Sequence, residues 1–310
     1  MKVLVSGGAG YIGSILTERL LAGGYEVYVL DSLVFQQRSL FHLCHNKNLH
    51  FIYGDCRDDA LLVDILSEVD VIIPLAAIVG APACQLHSAD AWGINFDAIR
   101  MINSMRSKAQ PVLFPNTNSG YGSTPGTDEC TEDSPLVPIS TYAHTKLMAE
   151  KILLDTGNAI SFRLATVFGM SPRMRIDLLV NNFVYLAMTE GTITIFEKEY
   201  MRNYVHVRDI ADAFVYAIEH FDEMKDKPYN VGQDSANMSK AQVAELIQKY
   251  VPRFVVNYND YAQDPDRRNY IVSNERLRHA GFEARRTLDE GIQELIKGFS
   301  MVGRSEMKNV

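Results

Sequence analysis

Cysteine is sparse and scattered in this 310-residue sequence: Cys44, Cys56, Cys84 and Cys130 show no CxxC spacing, which argues against a zinc site and against a disulfide framework. A reducing cytoplasm is the expected setting, and no metal is expected. Basic excess is missing as well. With 30 Lys+Arg against 38 Asp+Glu, the formal net charge is -8, so nothing is available to neutralise a phosphate backbone and no nucleic-acid partner is expected. Long hydrophobic runs are also lacking. The longest, Val69 to Val79, carries Asp70 and Pro74 and falls well short of the roughly 20 residues a bilayer requires, so no membrane partner is expected. Met1-Lys2-Val3-Leu4-Val5 runs straight into an apolar strand-like segment, so no signal peptide is expected. What the chain does have is 47% hydrophobic residues, enough for a large core, and no internal repeat or long linker divides it.

Short apolar runs alternate with amphipathic segments: Val3 to Ser6, Glu26 to Leu30, Phe51 to Tyr53, Val71 to Leu75, Val112 to Phe114 and Ile160 to Leu164. Strands alternating with helices predict a parallel sheet covered on both faces, the α/β doubly wound (Rossmann) architecture. Past Gly169 the pattern changes, and a smaller C-terminal lobe is expected. Tyr229-Asn230-Val231-Gly232 returns to the main sheet, while Lys240 to Tyr250 and Thr287 to Phe299 read as amphipathic helices. The expected division is therefore interleaved: residues 1–169 with about 204–232 in the dinucleotide domain, and 170–203 with 233–302 in the second lobe.

Ser6-Gly7-Gly8-Ala9-Gly10-Tyr11-Ile12-Gly13 follows the first strand and opens a helix. Glycines at Gly7, Gly10 and Gly13 let backbone approach a pyrophosphate held at the helix N-terminus. A ligand-free glycine turn is the competing reading, and Gly23-Gly24, a helix C-cap, is an example of it. Asp31 ends the second strand, where a carboxylate accepts ribose hydroxyls and repels a 2'-phosphate, which favours NAD over NADP. Asp55-Cys56 and Leu75-Ala76-Ala77 end the next two strands at the carboxyl edge where a dinucleotide crosses. Asp55 equally reads as the cap of a helix beginning near Arg57.

Tyr142 and Lys146 stand four apart within a predicted helix, Ser140 to Leu154, so both project from one face. A free tyrosine titrates near ~10, and a neighbouring ammonium favours its phenolate, giving a usable base. An ordinary amphipathic stripe has the same spacing. Thr117, just past a strand, is positioned to place a hydroxyl beside the same substrate oxygen.

These motifs, in this order, resemble the extended short-chain dehydrogenase/reductase family of nucleotide-sugar epimerases and dehydratases. The resemblance implies an enzyme with NAD as cofactor and a nucleotide-diphosphate sugar as substrate. It implies catalysis by Tyr142, Lys146 and Thr117, and cofactor contacts from Gly7, Gly10, Tyr11, Ile12, Gly13, Asp31, Asp55, Cys56, Leu75, Ala76, Ala77 and Asn95 as well as the Tyr142/Lys146 pair. Arg202, in Arg202-Asn203-Tyr204-Val205-His206, and Arg267 or Arg268 resemble the arginines that meet the diphosphate. Dehydratases of this family resemble Thr-Asp-Glu where this chain has Thr117-Asn118-Ser119, so oxidation at carbon 4 without elimination is implied. Thr166 and the stretch Ser171 to Asn181, with Arg173 and Arg175, are unlike galactose-type epimerases and resemble GDP-heptose 4-dehydrogenases of bacterial capsule biosynthesis. That resemblance makes Thr117, Asn118, Ser119, Thr166, Arg173, Arg175, Asn181, Arg202 and Arg268 the expected substrate contacts. A 4-epimerase and an inactive NAD-binding sensor are the alternatives. A homodimer through the helices near Trp92 to Met105 and Tyr142 to Leu154 is also implied by the resemblance.

Overall fold

The computed structural model describes residues 1–123, 129–259 and 268–301. Five strands lead the chain: β1 (Lys2–Ser6), β2 (Glu26–Asp31), β3 (Leu49–Tyr53), β4 (Val71–Pro74) and β5 (Val112–Thr117). Helices α1 (Tyr11–Ala22), α2 (Asp59–Glu68), α3 (Ala81–Leu86), α4 (Ser88–Trp92) and α5 (Ala98–Met105) cross between them. After β6 (Glu129–Cys130) come α6 (Thr141–Thr156), β7 (Ala159–Leu164) and β8 (Thr166–Phe168). The remainder comprises α7 (Leu179–Thr189), β9 (Thr192–Phe196), β10 (Met201–His206), α8 (Val207–Glu219), α9 (Phe221–Met224), β11 (Lys227–Val231), β12 (Asn237–Ser239), α10 (Lys240–Tyr250), β13 (Val255–Asn259), β14 (Ile271–Val272), α11 (Glu275–His279) and α12 (Leu288–Met301).

The main sheet has seven strands in the order β11-β7-β5-β4-β1-β2-β3, every pair parallel. Its central strands are apolar on both faces: Val3, Leu4 and Val5 of β1 are all fully buried. One face packs α1 and α8 over Val5, Val29 and Phe162; the other packs α2, α5 and α6 over Leu4, Ile72 and Phe114. Strand order reverses between β1 and β4. A cleft therefore opens at their carboxyl ends, where such folds place ligands.

The second lobe has its own core, built from α7, α10 and α12 around Val184, Tyr204, Val243 and Ile292. β10 pairs with β8 and β12, not with the main sheet, whereas α8 and β11, which follow it, belong to the dinucleotide unit. α11 packs back on β11 and the main core before α12 returns to the second lobe, so the region expected to be wholly second lobe, 233–302, is itself interrupted. Among the described residues no helix is long and apolar enough to cross a membrane, and no cluster of three His, Cys, Asp or Glu side chains could hold a metal ion.

Candidate active site

The glycine loop is shaped by close approach. Gly7 has φ +72, and a Cβ there would lie 2.7 Å from the Ala76 nitrogen; one on Gly13 would lie 2.2 Å from the Gly7 carbonyl oxygen. The loop thus turns flat against Leu75 and Ala76, with no side chain in the way. Gly10 is the extended N-cap of α1, supplies no side-chain cap, and the first turn carries no acidic residue. Unsatisfied N–H groups and the helix dipole favour an anion there. Tyr11 faces elsewhere: its hydroxyl donates to the Gly169 carbonyl at 2.7 Å and accepts from Asn181 Nδ2 at 3.2 Å, so its ring is a strut to the second lobe. Ile12 follows it in the first turn, half-buried.

Asp31 is buried at the end of β2. It accepts the Ala9 N–H at 3.0 Å, the Leu33 N–H at 2.8 Å and Gln37 Nε2 at 3.2 Å. A carboxylate has about four lone-pair sites, so one acceptor direction is left for a ribose hydroxyl while a phosphate would be repelled. This cradle of bare backbone, helix N-terminus and carboxylate fits a dinucleotide. Asp55 instead takes Arg57, with Nε at 3.0 Å and Nη2 at 2.7 Å, and Arg57 also reaches Asp90 at 2.8 Å. That pairing holds the Asp55 carboxyl below its usual range. Its other expected role, capping the next helix, falls to Asp58, whose Oδ1 accepts the Leu61 N–H at 3.1 Å. Cys56 is buried and its thiol is pushed up to about 12 by burial, so only its backbone is free to meet a ligand. Asn95, fully buried in a π-helical turn, clips Ile78 with both amide atoms at 2.9 Å and so braces the segment after β4.

Tyr142 and Lys146 project from the first two turns of α6, which begins where the Ser140 side chain accepts the Ala143 N–H. The Thr117 side chain, at the end of β5, lies beside Tyr142 and favours its phenolate. Burial pushes the phenol up to about 12, and Arg175, Arg268 and Thr117 work against that rise. The cations acting on Tyr142 therefore come from the second lobe. Lys146 lies 4.1 Å over the Phe114 ring, and burial lowers its ammonium to about 7.

Arg268 is the residue that closes the site: its Nη1 bonds the Ser119 hydroxyl, which itself accepts from Thr117 Oγ1 at 2.9 Å. Arg267 lies outside the described residues. Asn118 is fully buried beside them, with neither amide atom hydrogen-bonded. Arg175, paired with Asp177, reaches the same region as Tyr142. Arg173 points to the cofactor side, 4.4 Å over the Phe35 ring in the loop after Asp31. Asn181 spends its amide on Gly169 N–H, Tyr11 and the Arg175 carbonyl, holding the Arg175 loop in place. Arg202 is buried on β10 against the Tyr270 ring and donates to the Met201 carbonyl at 3.0 Å, while Thr166 opens β8 half-buried.

Sequence reasoning missed the group behind this site. Glu150 and Arg163, both buried, pair at 2.7 Å, and Asn116 and Ser161 also donate to Glu150. The available signal was Glu150 standing one turn beyond Lys146 on the inner face of α6, a place where unpaired charge is not tolerated.

A parallel sheet with a glycine-loop cradle at its switch point defines a dinucleotide-binding protein of the Rossmann class. The model of the NAD dependent epimerase/dehydratase family matches residues 3–232, and the chain belongs to that family. NAD is its cofactor. The UDP-glucose 4-epimerase of Lactobacillus helveticus is 31% identical over 274 residues, covering 80% of this chain and 81% of that protein. Two crystal structures share the fold over 97% of this chain. One is a UDP-glucose 4-epimerase with UDP-glucose from Thermotoga maritima (TM-score 0.85, 23% identity, 99% of that chain). The other is a dTDP-glucose 4,6-dehydratase from Bacillus anthracis in complex with NAD (TM-score 0.84, 22% identity, 97% of that chain).

Proposed function

We propose that this protein oxidises carbon 4 of a nucleotide-diphosphate sugar to a 4-keto sugar, in the first instance a UDP-hexose whose carbon 4 it inverts. The carrying observation is Thr117, at the end of β5, beside Tyr142 on α6, with Lys146 one turn along that helix and no carboxylate at 117–119. NAD, when bound, accepts the hydride of carbon 4 and returns it in an epimerisation. Thr117 orients the sugar 4-hydroxyl toward Tyr142, and Tyr142 as phenolate receives its proton as the C–H bond breaks and the carbonyl forms. Arg175 and Arg268 lower the cost of that phenolate inside a site that otherwise raises it. Lys146 would hold the cofactor ribose beside Tyr142, and the bond of Arg268 to Ser119 supports giving it the substrate diphosphate.

The UDP-sugar reading is supported by the relative 31% identical to this chain. Oxidation without hydride return, on a GDP-heptose, is favoured instead by Thr166 and the Ser171–Asn181 loop. Proton NMR of UDP-glucose, UDP-galactose and GDP-heptose incubated with the protein, together with absorbance of reduced cofactor, separates the two. Epimerisation gives the 4-inverted sugar with cofactor left oxidised; dehydrogenation leaves it reduced until an acceptor is added. Tyr142→Phe is expected to slow turnover by about 10²- to 10⁴-fold. Near-native turnover by that variant overturns the assignment of Tyr142 as the base, and no turnover of any of the three sugars overturns the proposal and revives the sensor reading. As part of the same reading the protein is a homodimer, with the exposed Leu86, Trp92 and Met148 of α3, α4 and α6 turned to the partner; light scattering of a dimer-sized particle is the expected result.

A further inference from the structure

Tyr142 and Thr117 come from different elements, a helix and a strand end, and their meeting requires α6 to sit at one depth on the sheet. The buried group behind them supplies that constraint. Glu150, on α6 two turns past Tyr142, is 4% exposed. Its Oε1 accepts Arg163 Nη2 at 2.7 Å; its Oε2 accepts Asn116 Nδ2 at 2.7 Å, Ser161 Oγ at 2.6 Å and Arg163 Nε at 3.2 Å. The opposite end of the Asn116 amide, Oδ1, accepts the Thr117 backbone N–H at 2.8 Å. Thr117 Oγ1 then accepts the Ser119 N–H at 3.1 Å and, through its own proton, bonds Ser119 Oγ at 2.9 Å. On the far side, Arg163 Nη1 donates to Tyr121 Oη at 3.2 Å and to the Glu132 carbonyl at 3.0 Å, which anchors the ion pair to the edge of the sheet.

These bonds run from Glu150, on the helix that carries Tyr142, to Asn116 and on to Thr117, whose side chain lies beside Tyr142. We infer that Asn116, held by the buried Glu150–Arg163 pair, is a positioning residue that sets the distance between the two reacting hydroxyls. The inference rests on the proposed roles of Tyr142 and Thr117. Asn116 is 2% exposed, and its amide is taken up by Glu150 and the Thr117 N–H, so it acts through Thr117. Misplacement of a reacting group by about 1 Å costs on the order of 10²-fold in rate, whereas ground-state binding is set by groups these bonds do not touch.

The test is a double-mutant cycle on the full-length protein with NAD and whichever of UDP-glucose, UDP-galactose or GDP-heptose it turns over. Asn116→Ala is expected to lower kcat by about 10- to 100-fold while KM and NAD affinity change less than about twofold. In a Thr117→Ala background the same substitution is expected to cost nothing further, because the route runs through Thr117. Ser161→Ala, which removes another donor to the same Glu150 oxygen but leaves the Asn116–Thr117 bond in place, is expected to lower kcat severalfold less than Asn116→Ala does. If Asn116→Ala does not fold, Asn116→Ser, too short to span both partners, is read in the same way. Native kcat in the Asn116 variant, or effects that multiply in the double variant, overturns the inference alone. Native kcat in Thr117→Ala overturns the site reading and this inference together.

Discussion

Lys146 is the side chain whose folding cost is most visible in the structure, and replacing it with Met isolates that cost. The ammonium is 2% exposed, lies over the Phe114 ring, and is lowered by burial from 10.5 to about 7, opposed only by Cys84. Between the folded value near 7 and the unfolded value of 10.5, the unfolded chain holds a proton that the folded chain lacks. Stability contributed by this group therefore rises with pH through that window, is complete above it and is lost below it. From pH 7 to pH 9 the rise amounts to about 2 kcal/mol for the NAD-free protein, a few degrees in Tm for a chain of this size. Lys146→Met does not titrate, and every other group is common to both proteins. The stability advantage of the variant should accordingly shrink by about that amount between pH 7 and pH 9, whatever constant offset the new methionine packing adds. Thermal and urea denaturation of both proteins, stripped of cofactor, measure it. An advantage that stays constant across the two pH values would refute the buried, depressed ammonium.

Other outcomes follow from the same geometry. Gly13→Ala forces a Cβ to within 2.2 Å of the Gly7 carbonyl oxygen. The displacement costs about 1–3 kcal/mol, and calorimetric titration should find NAD binding weakened roughly 10- to 100-fold. Arg163→Met leaves the Glu150 carboxylate buried without its cation and should destabilise by about 3–5 kcal/mol in urea unfolding. Adding Glu150→Gln should restore much of that loss. Asp31→Ala removes the carboxylate that repels a 2'-phosphate, so the ratio of NAD to NADP affinity should fall by about tenfold or more; an unchanged ratio would place the discrimination elsewhere.

The parallel sheet was legible because its signals are local. Buried strands such as Val3 to Ser6 are uninterrupted apolar runs, and helices such as Lys240 to Tyr250 carry their period and their capping serine in sequence. The glycine loop was legible because close backbone approach admits one residue type. Less legible was what each polar residue would face. Asp55 reads as an adenine-side cofactor contact or a helix cap, and in the folded chain it pairs with Arg57, two residues on. Arg173 and Arg175 stand side by side in sequence with one residue between them, yet one lies over Phe35 and the other acts on Tyr142.

The sequence by itself determined the architecture, the cofactor cradle and the Tyr142/Lys146 pair, since each depends on spacings of a few residues along one strand, turn or helix. Only the tertiary structure decided which cations act on Tyr142 and what holds Thr117 against it. Arg175 and Arg268 are 93 residues apart in the chain, and Glu150 meets Asn116 across 34 residues. Electrostatics and buried hydrogen bonding act through space, so partners that fold together from distant segments leave no period or motif by which to be read.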